Sequence, residues 1–153
     1  MSKDEILIRY SQYLKEVEKD IFILEENLNQ LKKFFPLNEE KIQYLASKGD
    51  TLKILDQLAY RFLKMQETLG KLLKFFLLKE GEIVDNLTML DIVHKTESLG
   101  IPINDEFWFE IRSLRNSIAH EYPELYNEVA EAINSLYEYI PKIKEIVNKI
   151  KEI

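Results

Sequence analysis

The sequence predicts an all-α protein, an antiparallel up-and-down bundle of about five main helices, on three observations. Apolar residues recur at three- and four-residue spacing over most of the chain, the pattern of a helix with one buried stripe. Gly and Pro number only four each, too few to punctuate a fold of short strands and turns. Leu, Ile, Lys and Glu dominate the composition, and these side chains suit helices better than turns.

The elements follow in order. Ile6, Tyr10, Tyr13 or Leu14, Val17, Ile21, Leu24, Leu28 and Leu31 describe one long amphipathic helix from about Lys3 to Phe34, ended by Pro36. Asn38 followed by Glu39 and Glu40 reads as an N-cap with acids in the first turn, opening a short helix to about Ser47. Gly49 closes that piece, and Asp50 is placed to cap the next. From Thr51 to about Lys79 runs the most apolar helix, with Leu55, Leu58, Phe62, Met65, Leu69 and Phe76 on one face and further Leu and Phe residues around it. Such a helix belongs at the centre of a bundle. Asp85 or Asn86 is expected to open a helix to about Ser98, which Gly100-Ile101-Pro102 stops. Asp105 opens the next, with Phe107, Ile111, Leu114 and Ile118 as its buried seam. Pro123 fixes its end, because the residue before a proline is pushed out of the α region. The last helix spans roughly Glu124 to Lys151 and is expected to kink at Pro141.

The 153 residues make one domain, with N-terminal helices over 1–48 and a core over 50–153. No cysteine is present, which excludes a disulfide framework and any thiolate chemistry and fits a cytoplasmic protein. The start Met1-Ser2-Lys3-Asp4-Glu5 does not read as a secretory leader. No window reaches the roughly 18 uncharged apolar residues of a membrane span, so no membrane is expected as a partner. A net charge of −6 argues against coating nucleic acid by bulk electrostatics, and leaves room for a local basic pocket. Of 21 basic residues only four are Arg, at 9, 61, 112 and 115, and two of these lie within four residues. A guanidinium fork holds phosphate or carboxylate in a way an ammonium does not.

The chemistry gathers at Arg112-Ser113-Leu114-Arg115-Asn116-Ser117-Ile118-Ala119-His120-Glu121-Tyr122-Pro123. At about 100° per residue, the seam leaves a second face of Trp108, Arg112, Arg115, Ala119 and Tyr122, with Asn116 and His120 stacked beside it. Cleavage of RNA by its own 2′-hydroxyl needs a base, an acid and donors for the charge on the phosphate oxygens. His120 can move the proton near neutral pH, Arg115 can clamp the phosphate, and Asn116 can orient substrate or imidazole. One chain offers one histidine here, so a homodimer that pairs this face with itself would supply two.

Arg115-Asn116-Ser117-Ile118-Ala119-His120-Glu121-Tyr122 resembles the R-N-x-x-A-H-x-Y form of the R-x4-6-H motif of HEPN domains, as found in HepT-like toxins paired with a minimal nucleotidyltransferase. Arg61-Phe62-Leu63-Lys64-Met65-Gln66-Glu67-Thr68-Leu69-Gly70 resembles an R-F-x-K-x-Q-D/E-x-x-G segment of a related HEPN group. The resemblance covers roughly residue 50 to the end. It implies a HEPN-like bundle and a homodimeric, metal-independent endoribonuclease toxin that uses no cofactor and leaves a 2′,3′-cyclic phosphate. It further implies Arg115 and His120 as the catalytic pair, Asn116 as support, and Tyr122 as the hydroxyl that a cognate nucleotidyltransferase antitoxin modifies with AMP.

Plainer roles stand beside these. Arg115 can bridge to Glu121 or Glu124, and Tyr122 can pack its ring on the last helix. Arg61 suits a pairing with Glu67, Asp56 or another acid better than a direct contact to RNA. Trp108 can stack a base or sit in an interface, Arg112 can contact substrate, and His94 reads as structural. A non-catalytic HEPN subunit that binds a nucleotide or substrate for a nucleotidyltransferase is the alternative to the enzyme, and a helical interaction subunit is a third reading.

Overall fold

A computed structural model describes residues 1–119 and 125–153 of the chain. Six α-helices and one 3₁₀ turn follow one another, and no strand occurs among the described residues. They are α1 (Lys3–Gln30), the turn Lys32–Phe34, α2 (Glu39–Ala46), α3 (Gly49–Lys79), α4 (Met89–Ser98), α5 (Asp105–Ile118) and α6 (Tyr126–Glu152). The all-helical bundle expected from periodicity is what the chain forms. Its frame is four long helices, and α2 and α4, of eight and ten residues, connect them.

Side-chain pairings along the seams give the directions. Between α1 and α3, Tyr13 meets Phe75, Asp20 meets Arg61 and Asn27 meets Gln57, so the two run antiparallel. Glu18 with Lys151 and Glu25 with Lys144 make α6 antiparallel to α1. Phe107 with Tyr139 and Ser117 with Glu128 do the same for α5 and α6. Helix α3 also touches α2, α4 and α5. Twelve of its side chains are buried, among them Phe62, Met65, Leu69, Leu72, Leu73 and Phe76 at 0% exposure, which makes it the central helix its composition calls for. The seam of α1 is fully buried only from Val17 onward. Towards its N-terminus Tyr10, Tyr13 and Leu14 are half-buried, and Leu7 and Ile8 are exposed.

The ends of the helices have local causes. Asn38 caps α2 by accepting from the Lys41 N–H at 2.9 Å. Asp50 does not cap α3 as expected: Lys48 holds the cap position without a side-chain bond, and Asp50 lies in the first turn. At the other end, Glu82 N–H donates to the Leu77 carbonyl and Gly81 N–H to that of Leu78, the Schellman closure. Gly81, at φ 85°, provides the left-handed residue it requires. Helix α4 starts later than Asp85 or Asn86, because Thr88 and Asp91 form a capping box in which each side chain accepts the other's backbone N–H. Neither Asp85 nor Asn86 has an acid three residues on, and Asn86 stands at φ 61°, outside any helix. Those two bonds hold the exposed Asp91 carboxyl below the usual range. Asn104 caps α5 through the Phe107 N–H. Helix α6 runs through Pro141, whose ring lies at an exposed position, instead of ending there.

Two polar contacts lock the register of α1 on α3. Asn27 donates to Gln57 at 2.8 Å, and Arg61 Nη1 donates to Asp20 Oδ1 at 3.0 Å with Asp20 only 4% exposed. Burial pushes the Asp20 carboxyl above its ordinary pKa, against the opposing hydrogen bond and charge of Arg61. A raised value means that the folded protein holds this proton more tightly than the unfolded chain. The associated stability is complete below the unfolded value, about 3.9, and is lost as pH rises through the folded one. In urea denaturation, wild-type stability relative to Asp20→Asn is therefore expected to fall as pH rises from about 4 towards neutral. A rise over that range would mean that the guanidinium outweighs burial. Asp20→Ala, which strands Arg61, should cost about 1–3 kcal/mol at neutral pH.

Candidate functional site

Helix α5 is amphipathic in two directions. Phe107, Ile111 and Ile118 enter the core as expected, while Leu114 is half-buried. Of the two readings of Trp108, base stacking or a place in an interface, its position suits the buried one. It is 3% exposed, with its edge laid against α3 where Gly70 has no side chain, so its faces are not open for a base to stack on. A Cβ at Gly70 would stand 3.4 Å from Trp108 Cη2 and 3.6 Å from Met89 Sδ.

Around this close approach, α3, α4 and α5 enclose an open cleft of about 560 Å³. Helix α3 lines it with Gln66, Glu67, Gly70, Lys71 and Lys74, α4 with Met89 and Ile92, and α5 with Trp108, Arg112 and Arg115. Its size is that of a small-molecule or single-nucleotide site. Lys71 and Lys74 lie one helical turn apart on one side, and Arg112 and Arg115 one turn apart on the other. Glu67 is the one carboxylate on the lining against these four cations. Like charges at such spacing destabilise helices, so their gathering in a chain of net charge −6 needs a reason other than folding.

Arg115 is part of the lining and is half-buried. Its Nη2 lies 3.3 Å from Glu67 Oε1, while its Nε is buried with no hydrogen-bond partner among the described residues. Glu121 and Glu124, the acids expected to pair with it, lie outside the described residues, as do His120, Tyr122 and Pro123. With the two side chains 31% and 42% exposed, the Arg115–Glu67 pair is worth at most about 1 kcal/mol. Asn116 is exposed and does not line the cleft, and Ala119 is the exposed C-cap of α5.

Arg61 stands apart from this group. Nine residues from Gly70 along one helix, it faces the opposite side, towards α1, and its partner is Asp20 instead of Glu67 or Asp56. It joins the α1–α3 seam, in the pairing with another acid that the sequence favours over a direct contact to RNA. His94 is exposed and lies 3.6 Å from Asp105, in keeping with a structural role.

Sequence reasoning found the α5 half of the cleft and missed most of the α3 half. Lys71 and Lys74 interrupt an apolar stretch of α3 and belong to no motif. The signal that could have found them is their three-residue spacing, which mirrors that of Arg112 and Arg115. No protein-family model, curated protein or solved structure matches the chain. Among the described residues no helix is long and apolar enough to cross a membrane.

Two substitutions probe the cleft. Glu67→Gln should change stability by no more than about 1 kcal/mol and strengthen binding of inorganic phosphate severalfold, read by NMR titration, because Arg115 loses its internal anion. Gly70→Ala should raise stability by about 0.5–1 kcal/mol through helix propensity, while its methyl takes up space between Trp108 and Met89 and weakens ligand binding. A destabilised Gly70→Ala protein would show that the close approach of Trp108 is tighter than an ordinary van der Waals contact.

Proposed function

We propose that this protein is a metal-independent endoribonuclease of the HEPN type, the toxin of a toxin–antitoxin pair, acting as a homodimer whose active site is shared between two α5 tips. The observation that carries the reading is the cationic cleft beside Arg115. A chain with excess negative charge collects four cations where the R-N-x-x-A-H-x-Y motif begins. The motif residues that follow Ala119 enter the proposal by sequence alone.

In this reading one His120 removes the 2′-hydroxyl proton. The freed oxygen attacks the adjacent phosphorus, and the 5′ oxygen leaves with a proton donated by the partner's imidazole. The products are a 2′,3′-cyclic phosphate end and a 5′-hydroxyl end. Arg115, from one or both chains, holds the non-bridging oxygens as their charge grows, which is where a preorganised cation lowers the barrier most. Asn116, exposed beside Arg115 in sequence, is free to orient the scissile group. Ala119, small and exposed, lets a second helix tip come close. Tyr122, directly after the catalytic stretch, is the hydroxyl that a cognate nucleotidyltransferase would cap with AMP, blocking access by bulk and negative charge.

The second reading, a non-catalytic nucleotide-binding subunit for such a transferase, is favoured by one observation: the cleft is of single-nucleotide size and already holds Arg115 against a carboxylate. Catalysis separates the two. Purified protein should cleave single-stranded RNA in the presence of EDTA. His120→Ala and Arg115→Ala should each lower the rate by about 10²–10⁴-fold with the helical circular-dichroism spectrum unchanged. Cleavage by His120→Ala at the wild-type rate would remove the enzyme reading. Incubation with the partner transferase and ATP should add adenylyl mass that Tyr122→Phe no longer accepts.

A further inference from the structure

The floor of the cleft contains a side chain that neither the fold nor the cleavage chemistry uses. Gln66 is 7% exposed, lines the cleft, and forms no hydrogen bond among the described residues. Of the other side chains buried to that degree, Asp20 bonds Arg61, Asn27 bonds Gln57 and Thr96 bonds the Ile92 carbonyl, while Thr68, like Gln66, has no hydrogen-bond partner among the described residues. The amide atoms of Gln66 are not sealed in the interior as Asn27 Oδ1 and Arg115 Nε are, so they keep access to solvent on the side of the cleft that Gln66 lines. The polar atoms of Gln66 face the cleft, so what they meet is whatever occupies it.

The lining is ordered by chemistry. Behind Gln66 the walls are apolar, made by Gly70, Met89, Ile92 and the edge of Trp108. The cations Lys71, Lys74 and Arg112 are exposed at the rim. An amide presents a donor and an acceptor in one plane, which matches the paired donor and acceptor on the edge of a nucleobase. A nucleotide placed with its base inward would set the edge against Gln66, the ring between apolar walls, and the phosphates among the cations.

We propose that this cleft receives one unpaired base of a single-stranded RNA, with Gln66 as the residue that selects the base and Lys71, Lys74 and Arg112 as contacts to the flanking phosphates. The base must be unpaired because in a duplex its edge is occupied and its ring is stacked. The assignment rests on the ribonuclease reading for the identity of the polymer, and it supplies what that reading lacks, a determinant of where the RNA is held relative to Arg115.

The test is binding without cleavage. Four 2′-O-methyl trinucleotides that differ only in the central base are titrated onto the full chain, followed by fluorescence anisotropy. Without a free 2′-hydroxyl they cannot be cut, so the outcome does not depend on catalysis. One central base is expected to bind at least about tenfold tighter than the weakest. Gln66→Leu should reduce that spread to about threefold or less, and Gln66→Met serves if the first variant folds poorly. The double variant Lys71→Ala, Lys74→Ala should weaken all four ligands by a similar factor and flatten their salt dependence, leaving the preference intact. Equal binding of the four by wild type, or a preference that survives both Gln66 variants, overturns the proposal. So does a mononucleotide that binds as tightly as the trinucleotides, which would give the cleft to a free nucleotide. A Gln66-dependent preference without His120-dependent cleavage would leave the base pocket standing and remove the nuclease, and the reverse result would do the opposite.

Discussion

Helix α3 has to satisfy several neighbours at once, and that constraint organises the molecule. Over 31 residues it turns apolar side chains towards α1, α2 and the interior, so it can exist only if the rest of the chain wraps it. Phe62, Met65, Leu69, Leu72, Leu73 and Phe76 form a stripe that is wholly buried. The stripe is not closed all round. At Gln66, Glu67, Gly70, Lys71 and Lys74 the helix becomes polar or bare, and there α4 and α5 meet it across a cleft instead of a packed seam. One helix thus lines both the core and this gap in its cover.

The opposite side of α3 shows what the same chain does with polar groups that serve structure. The Arg61–Asp20 and Asn27–Gln57 contacts sit between two helices, and a slip of one helical turn would leave all four groups mismatched. Buried charge is a poor source of net stability, and raising the Asp20 carboxyl's pKa is the signature of that cost. It fixes alignment, which carries through to where Gln66 and Gly70 stand relative to α5. Arg61 and Arg115 therefore illustrate two uses of one residue type: the first is consumed by a buried acid, and the second is lightly held by an exposed one.

How much could be read from the sequence depended on how local the cause was. Each helix was legible, since periodicity and caps lie within a few residues of one another. Asn38 and the stop at Gly100 are examples. The start of α4 was placed a few residues early because Asp85 and Asn86 are good caps in isolation, and only the reciprocal pair Thr88 and Asp91 decides between them. The particular neighbours of Trp108 and Arg61 were not legible, for a different reason. What covers them comes from Gly70, thirty-eight positions away in the sequence for the one, and from Asp20, forty-one away for the other. The site divides the same way. Its α5 half could be read as a motif on one face of one helix. Its α3 half became visible only when the antiparallel packing brought Glu67 to Arg115 across 48 residues.

The charge balance of the chain is informative once the cleft is located. Salt screens exposed charges beyond roughly 8 Å under physiological conditions, so the surplus of acids elsewhere on the surface has little reach into the cleft. Four cations on two facing helices, over partly apolar walls, keep a strong positive potential there. A uniformly basic protein would bind any polyanion along its length. An acidic one with a cationic recess, as proposed for this cleft, would hold a phosphate chain only where the strand can enter that recess, which would turn weak electrostatic attraction into a requirement for shape. Glu67 sharpens the requirement: an incoming phosphate has to replace a carboxylate already in contact with Arg115. Because that pair is exposed and weak, a phosphate that also meets Lys71, Lys74 or Arg112 can replace it, whereas a lone anion that reaches Arg115 alone gains almost nothing.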